Sequence, residues 1–353
     1  VKKIVQVVDA LYTGGAERVA VDLANGLKQL GFAVFFCVTR SDGPLRTELR
    51  TDIPLFNLKR RKRFQGLLTF RKYVLENGIS IVHAHGNHTA LFCVLALVGV
   101  RSIEIIHHDH NSQLGLRNVI VHKLILRRVD HWIVVSEDIR QWVIGKIKYE
   151  KALLMINPIV VSRFSKKANE NREVKKVVML ANYRKPKDYE NLLNAVHHIN
   201  NSTLKFAISC FGSTSDAQYF DKIQARVFEL NLQHLITLNP SATNVPAILS
   251  QADVGLLTSF REGLPISLLE YMASSLPVVV TDVGECKRIV SEANCGIVVP
   301  HSNPIKLADA LQDILFNTAN WRMWGLNAKI YVEQNHSMDV YLNKLVNEVY
   351  QKA

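Results

Sequence analysis

Val254-Gly255-Leu256-Leu257-Thr258 is followed by Ser259-Phe260-Arg261 and then by Glu262-Gly263-Leu264-Pro265-Ile266-Ser267-Leu268-Leu269-Glu270. An apolar run passes through a short loop into a helical pattern. The run predicts a strand ending near Thr258. Gly263 lets backbone approach a neighbour closely, and Pro265 suits the first position of a helix. On that helix Ser267, Glu270 and Ser274 share one face at i, i+3 and i+7, while Leu268 and Met272 point elsewhere. The helix start offers unpaired backbone N–H groups and a positive dipole end, a place for phosphate. Glu262 and Glu270 therefore stand eight residues apart around an anion site, one on a loop and one on a helix.

The same alternation extends in both directions. Ile4–Val8, Ala33–Val38, Ile79–Val82, Ile103–Ile106 and Trp132–Val135 read as strands of a first half. Val177–Leu180, Phe206–Cys210, Leu235–Leu238, Val254–Leu257, Val278–Val280 and Ile297–Val299 read as strands of a second. Helical patterns are expected over 16–30, ending before Gly31, and over 189–199, 216–230, 265–274, 304–316 and 337–352. Strands alternating with helices predict α/β architecture with parallel, doubly wound sheets. A length of 353 residues suits two domains. The charge-dense stretch Ser162–Lys176 predicts the break, giving domains 1–165 and 166–336 and a last helix over 337–353. Ligands of doubly wound sheets bind at the C-terminal ends of strands, so the useful residues are expected on the loops that follow them.

Composition narrows the class. The longest apolar run, Leu91–Val100, is too short to span a bilayer. The opening Val1–Val8 passes directly into a strand pattern, unlike a leader peptide. Five cysteines, none in C-x-x-C spacing, predict reduced thiols and a cytoplasmic protein. The formal net charge is +12; residues 1–165 hold 24 Lys and Arg against 13 Asp and Glu, and residues 166–353 hold 19 against 18. That asymmetry predicts an anionic partner for the first half. Lys59–Arg63, followed by Phe64, Leu67 and Leu68, suits an anionic membrane surface. No aromatic platform or reading motif accompanies the charge, so nucleic acid is not expected.

Further candidates follow strands. Thr13-Gly14-Gly15-Ala16-Glu17-Arg18 is a glycine turn opening a helix, though not the dinucleotide fingerprint G-x-G-x-x-G, which disfavours an oxidoreductase. His83, His85 and His88 form one histidine group and His107, His108 and His110 another; metal spacing on a helix and companion cysteines are lacking, so no metal is expected. Arg184 and Lys187, just past Leu180, can neutralise a diphosphate leaving group without a metal.

The segment Glu262–Glu270 resembles the E-x7-E motif of retaining glycosyltransferases of the GT-B fold, glycosyltransferase family 4. The resemblance covers nearly the whole chain. It implies two Rossmann-like domains facing a cleft, with the last helix crossing back to the first domain and Tyr350 where the family often has Tyr. It implies Glu262 beside the transferred sugar, Glu270 on the ribose hydroxyls, and Gly263, Leu264, Pro265 and Ile266 orienting the donor. Gly14-Gly15-Ala16-Glu17-Arg18 resembles the family loop near the donor phosphates and acceptor, with Gly15 on the donor side and Gly14 on the acceptor side. His108, then His107, resembles the histidine that reaches sugar or phosphate, and His85 one near the acceptor. Lys187 matches the family's basic pair, but Asn182 stands where its Arg does, and Arg184 is expected to replace that Arg. The function implied is retaining transfer of a hexose from a nucleotide-diphosphate sugar, UDP ahead of GDP, to a glycan or lipid-linked acceptor. The setting implied is bacterial surface-polysaccharide synthesis, on the inner face of the cell membrane. A sugar-nucleotide epimerase and a non-catalytic nucleotide-sugar-binding protein stay open as alternatives.

Overall fold

A computed structural model describes residues 2–12, 14–59, 63–110, 118–165, 173–200, 205–241 and 244–350. The chain divides into two units, Val1–Pro158 with Met338–Ala353, and Ile159–Ser337. The first unit contains β1 (Lys3–Ala10), β2 (Ala33–Ser41), β3 (Leu55–Asn57), β4 (Ile81–His85), β5 (Glu104–Asp109), β6 (His131–Val134) and β7 (Leu153–Leu154). They form one sheet in the order β3-β2-β1-β4-β5-β6-β7, with every pair parallel. Parallel strands lie buried on both faces and so read as continuous apolar runs; Ile4, Val5, Val7 and Val8 are all buried.

Helix Gly15–Gln29 buries Val19, Leu23 and Leu27, the positions spaced four apart. Gly31, at φ +86°, ends it in the left-handed region that glycine enters without strain. The chain returns to this unit at its end, where helix Met338–Leu345 runs into a single wider turn, Val346–Tyr350. Met338, Tyr341, Leu342, Leu345, Val349 and Tyr350 are buried there. A side chain on Gly26 would come within 2.5 Å of Leu342, so the glycine makes room for the returning helix.

The second unit contains β8 (Lys175–Leu180), β9 (Phe206–Phe211), β10 (Ile236–Asn239), β11 (Val254–Leu257), β12 (Val278–Thr281) and β13 (Gly296–Val299), again all parallel, in the order β10-β9-β8-β11-β12-β13. Its boundary differs from the expected one. Ile159 and Phe164 bury their side chains among Leu249, Leu268 and Tyr271, so the second unit begins at residue 159 and not at 166. Burial outweighed the polar composition of the stretch that follows.

Candidate functional site

In the second sheet the chain order reverses between β8 and β11, which lie side by side. Such a switch point leaves a crevice beyond the strand C-termini where helices do not cover it. Two features hold the strands there. Tyr271 accepts a hydrogen bond from the Leu180 N–H (2.6 Å) and donates one to the Leu256 carbonyl (3.2 Å). Gly255 leaves space for the Tyr271 ring, which a Cβ would meet at 2.5 Å.

Onto this crevice converge the loops after β8, β11 and β12. The Lys187 ammonium pairs with Oε1 of Glu262, and the Ser259 hydroxyl donates to the same oxygen at 2.7 Å. Both charged side chains are about nine-tenths buried, at 10% and 11% exposure. Thr258 Oγ1 donates to the Lys187 carbonyl (2.9 Å), and Thr281 Oγ1 donates to the Ser259 carbonyl (2.6 Å). From the loop after β12, Glu285 N–H bonds the Gly263 carbonyl at 2.9 Å. Gly284 sits at φ +51°, and a Cβ there would stand 2.1 Å from that carbonyl oxygen. Glu262 is therefore held in one position by three loops. Buried Cys286, pushed up to about 12 mainly by burial, stays a neutral thiol nearby.

Helix Ile266–Ala273 starts beside this cluster with no side-chain cap. Its first amides and dipole are thus available to an anion. Pro265 lies just before the helix, in extended backbone, and not at its first position as expected. Glu270 is half-buried one turn into the helix, on the partly exposed side with Ile266 and Ser267. Gly263 and Leu264 are also half-buried. These expected donor-side residues lie together.

Arg184 is exposed, and its guanidinium makes no ion pair or hydrogen bond with any described residue. Asn182 does something else. Its Oδ1 accepts the Ser213 N–H at 3.0 Å and ties the loop after β8 to the loop after β9. Tyr183 reinforces that tie, donating to the carbonyls of Cys210 (3.0 Å) and Asn239 (3.1 Å).

The histidines of the first unit behave otherwise than expected. His107 and His108 lie on β5 itself, which continues to Asp109, and both are fully buried. Their side chains take opposite faces of the sheet. His107 packs on Trp132, with ring centroids 4.8 Å apart. His108 joins a buried hydrogen-bond chain that also contains His85. In that chain Gln6 Nε2 donates to Tyr350 OH (3.2 Å), while Gln6 Oε1 meets His85 Nε2 at 2.8 Å. The amide oxygen places a proton on His85 Nε2, so in the neutral ring His85 Nδ1 accepts from His110 Nε2 (3.1 Å). Tyr350 OH is hydrogen-bonded to His83 Nδ1 (2.7 Å), His83 Nε2 to His108 Nδ1 (3.2 Å), and His108 Nε2 to Tyr341 OH (3.4 Å).

Burial, first of all, holds His83 down at about 3, and it lowers His85 and His108 well below the usual imidazole range. His110 is held at about 4 by burial, although Asp109 opposes the shift. The chain is neutral and joins β1, β4 and β5 to the C-terminal segment. His83, His85 and His108 approach closely enough to hold a cation, yet each of their ring nitrogens already has a hydrogen-bond partner. His85, His107 and His108 are thus interior residues of strands, corrected from the loops that were expected to carry them. Gly14 lies just before helix Gly15–Gln29 and Gly15 is its first residue, exposed at the strand end as the turn predicted.

Two parallel, doubly wound units in one chain are the layout of the GT-B proteins. HepE of Anabaena, solved with UDP-glucose, shares it with a TM-score of 0.83 over 99% of each chain at 16% identity. Residues 13–163 match the family model described as Glycosyltransferase Family 4, and residues 161–330 the one described as Glycosyl transferases group 1. The alpha-1,4-N-acetyl-D-galactosaminyltransferase of Campylobacter jejuni, whose name specifies a PP-undecaprenol-linked glycan, is 25% identical over 91% of this chain and 90% of its own. The alpha-1,3/1,6-mannosyltransferase ALG2 of Rhizomucor pusillus is 22% identical over 94% and 88%. The chain belongs to glycosyltransferase family 4, and it is an enzyme of glycan biosynthesis.

Proposed function

We propose that this glycosyltransferase moves a hexose-type sugar from a UDP-sugar to a lipid-linked glycan with retention of anomeric configuration. The setting is polysaccharide synthesis at the inner face of the cell membrane. The observation that carries the donor site is the convergence of Lys187 and Ser259 on Glu262 beside the uncapped helix start at Ile266. The names of HepE with UDP-glucose and of the undecaprenol-dependent Campylobacter enzyme support the choice of donor and acceptor.

In this reading the diphosphate rests on the amides from Gly263 to Ile266, and Arg184 neutralises it from the surface. Glu270 accepts hydrogen bonds from the ribose, and Glu262 from a sugar hydroxyl. Lys187 holds Glu262 in place and lends its charge to the departing phosphate. The bond from the anomeric carbon to phosphate breaks, the acceptor oxygen bonds that carbon on the same face, and the acceptor proton passes to the leaving phosphate. No carboxylate attacks covalently, so the carboxylate separations of glycosidases do not apply. Charge is met by cationic side chains and backbone amides, so the reading needs no metal.

A thermal-shift series with UDP, GDP, ADP and dTDP tests the donor, since a ligand at 100 times its Kd stabilises by about 2.7 kcal/mol. UDP should give the largest shift, and Glu270→Ala should diminish it. No shift with any nucleotide, or an inverted anomer in the product, would overturn the reading.

Arg184→Ala should weaken donor binding more than Asn182→Ala does. A diphosphate carries at least two negative charges, and a guanidinium meets them with paired, charge-assisted hydrogen bonds. Asn182→Ala instead removes one loop tie, a cost of about 1 kcal/mol in stability. Calorimetry with UDP decides: a larger loss of affinity in Asn182→Ala would contradict the substitution of Arg184 for the family arginine.

A further inference from the structure

Helix Trp321–Asn335 of the second unit packs on helix Ile266–Ala273, which carries Glu270. Its inner residues Gly325, Ala328 and Val332 are buried at i, i+3 and i+7. Ala328 and Val332 share one core with Leu268, Leu269 and Met272. A Cβ on Gly325 would stand 2.3 Å from the Ser275 carbonyl oxygen, so the contact is close. Trp321 Nε1 donates to the Ile314 carbonyl (2.8 Å), and Asn327 Nδ2 to that of Asn294 (3.1 Å). These ties fix the rotation of the helix, and with it the side turned to solvent. That side of a packed helix is normally polar. This one carries Met323, Leu326 and Ile330 at i, i+3 and i+7, all exposed, with Leu326 58% accessible. Arg322, Lys329 and Glu333 line one flank of the stripe. Arg322 is exposed and makes no ion pair with any described residue, and Glu333 has only Lys329 at 4.0 Å.

We propose that this stripe pairs with the same stripe of a second copy of the chain, antiparallel about a two-fold axis. A two-fold contact meets its own surface, so the face must complement itself. With the axis between Leu326 and Asn327, Met323 lies opposite Ile330 of the other copy, and Leu326 lies beside its own counterpart. An axis perpendicular to both helices keeps the two charged flanks on the same side. Arg322 then stands opposite Tyr331, two residues or about 3 Å along the helix from Glu333 of the other copy. Symmetry makes that charge contact twice. Met, Leu and Ile at the centre with charge held to the flank is the composition of a protein interface. A helix lying flat on a bilayer is instead edged by Lys and Arg, whereas Glu333 interrupts the basic flank here. Lys59–Arg63 with Phe64, the segment expected from the sequence to meet a membrane, falls largely outside the described residues, and Leu67 packs on the core of the first unit.

Sedimentation equilibrium of the whole chain tests it. The parent should pass from monomer to dimer as concentration rises, and Leu326→Glu should stay monomeric over the same range. Arg322→Glu and Glu333→Arg should each raise the dissociation constant roughly tenfold, since like charges then meet twice. Mixed in equal amounts, these two variants should associate more tightly than either does alone, because both crossed contacts then join opposite charges. Every changed side chain is exposed, so each variant should keep the melting temperature that the parent shows at dilutions where it is monomeric. A parent that stays monomeric at its highest soluble concentration, a dimer that survives Leu326→Glu, or a mixture no tighter than its components would overturn the proposal. So would binding of the parent to phosphatidylcholine vesicles that Leu326→Glu abolishes, because lipid would then be the occupant.

Discussion

Lys187→Ala is expected to lower transfer by about 10²–10³-fold and to destabilise the second unit by about 3–5 kcal/mol. Both effects come from one contact. Lys187 and Glu262 are nearly buried, and Lys187 shares a single carboxylate oxygen of Glu262 with Ser259. Removing the ammonium leaves a buried carboxylate with a hydroxyl and no counter-charge. Replacing both partners by apolar groups of similar volume removes that penalty, since a buried ion pair is often no more stable than its hydrophobic substitute. Lys187→Met/Glu262→Leu should therefore recover most of the stability in urea melts and none of the activity. If the double variant stays as unstable as Lys187→Ala, the pair is not what the single change disrupts. If it transfers sugar, neither residue serves the reaction.

The second large effect concerns pH. The histidine chain of the first unit is neutral, with His83 held at about 3 and His110 at about 4. An unfolded histidine titrates near 6.5. The unfolded chain thus binds more protons below that pH, and linkage makes stability fall as pH falls. The contribution is complete above about 6.5 and is lost progressively toward about 4 and then about 3. Each unit of difference is worth about 1.4 kcal/mol, and several coupled histidines share the loss. Denaturant midpoints between neutral pH and acid should drop steeply for the first unit and flatten in His83→Gln/His110→Gln. A parent profile already flat across that range would show that the chain is not neutral in the native protein.

Which parts were legible in the sequence follows from where polar groups went. Strands buried on both faces show themselves as β-branched runs, so β8 to β13 were readable within a residue or two. β3 and β7, of three and two residues at the sheet ends, are too short to carry a pattern. That Glu262 and Lys187 stand on loops after strands was readable, because the apolar runs before them stop. Their pairing was not, because it depends on how the loops carrying Ser259 and Thr281 fold together. The histidines misled for a definite reason. Polar residues after an apolar run suggest a loop, yet β5 runs on through His107 and His108 to Asp109. Partners that satisfy them, Gln6, Tyr341 and Tyr350, come from the opposite ends of the chain. No local window contains both halves of such a network.

The split of the first unit between 1–158 and 338–353 also sets an order of events during synthesis. A ribosome finishes the continuous second unit before it has made the residues that complete the first. Until Leu342 arrives against Gly26 and Tyr350 against His83, the nascent first unit keeps an open apolar face and an unfilled polar chain. Domains usually mature from the N-terminus onward; here the unit begun first is finished last. A chain stopped after Ser337 should hold a protease-resistant second unit and a labile first one, and equal resistance of both would refute that order. The turn Val346–Tyr350 thus closes, late in synthesis, a unit whose first strands were made before any of the second.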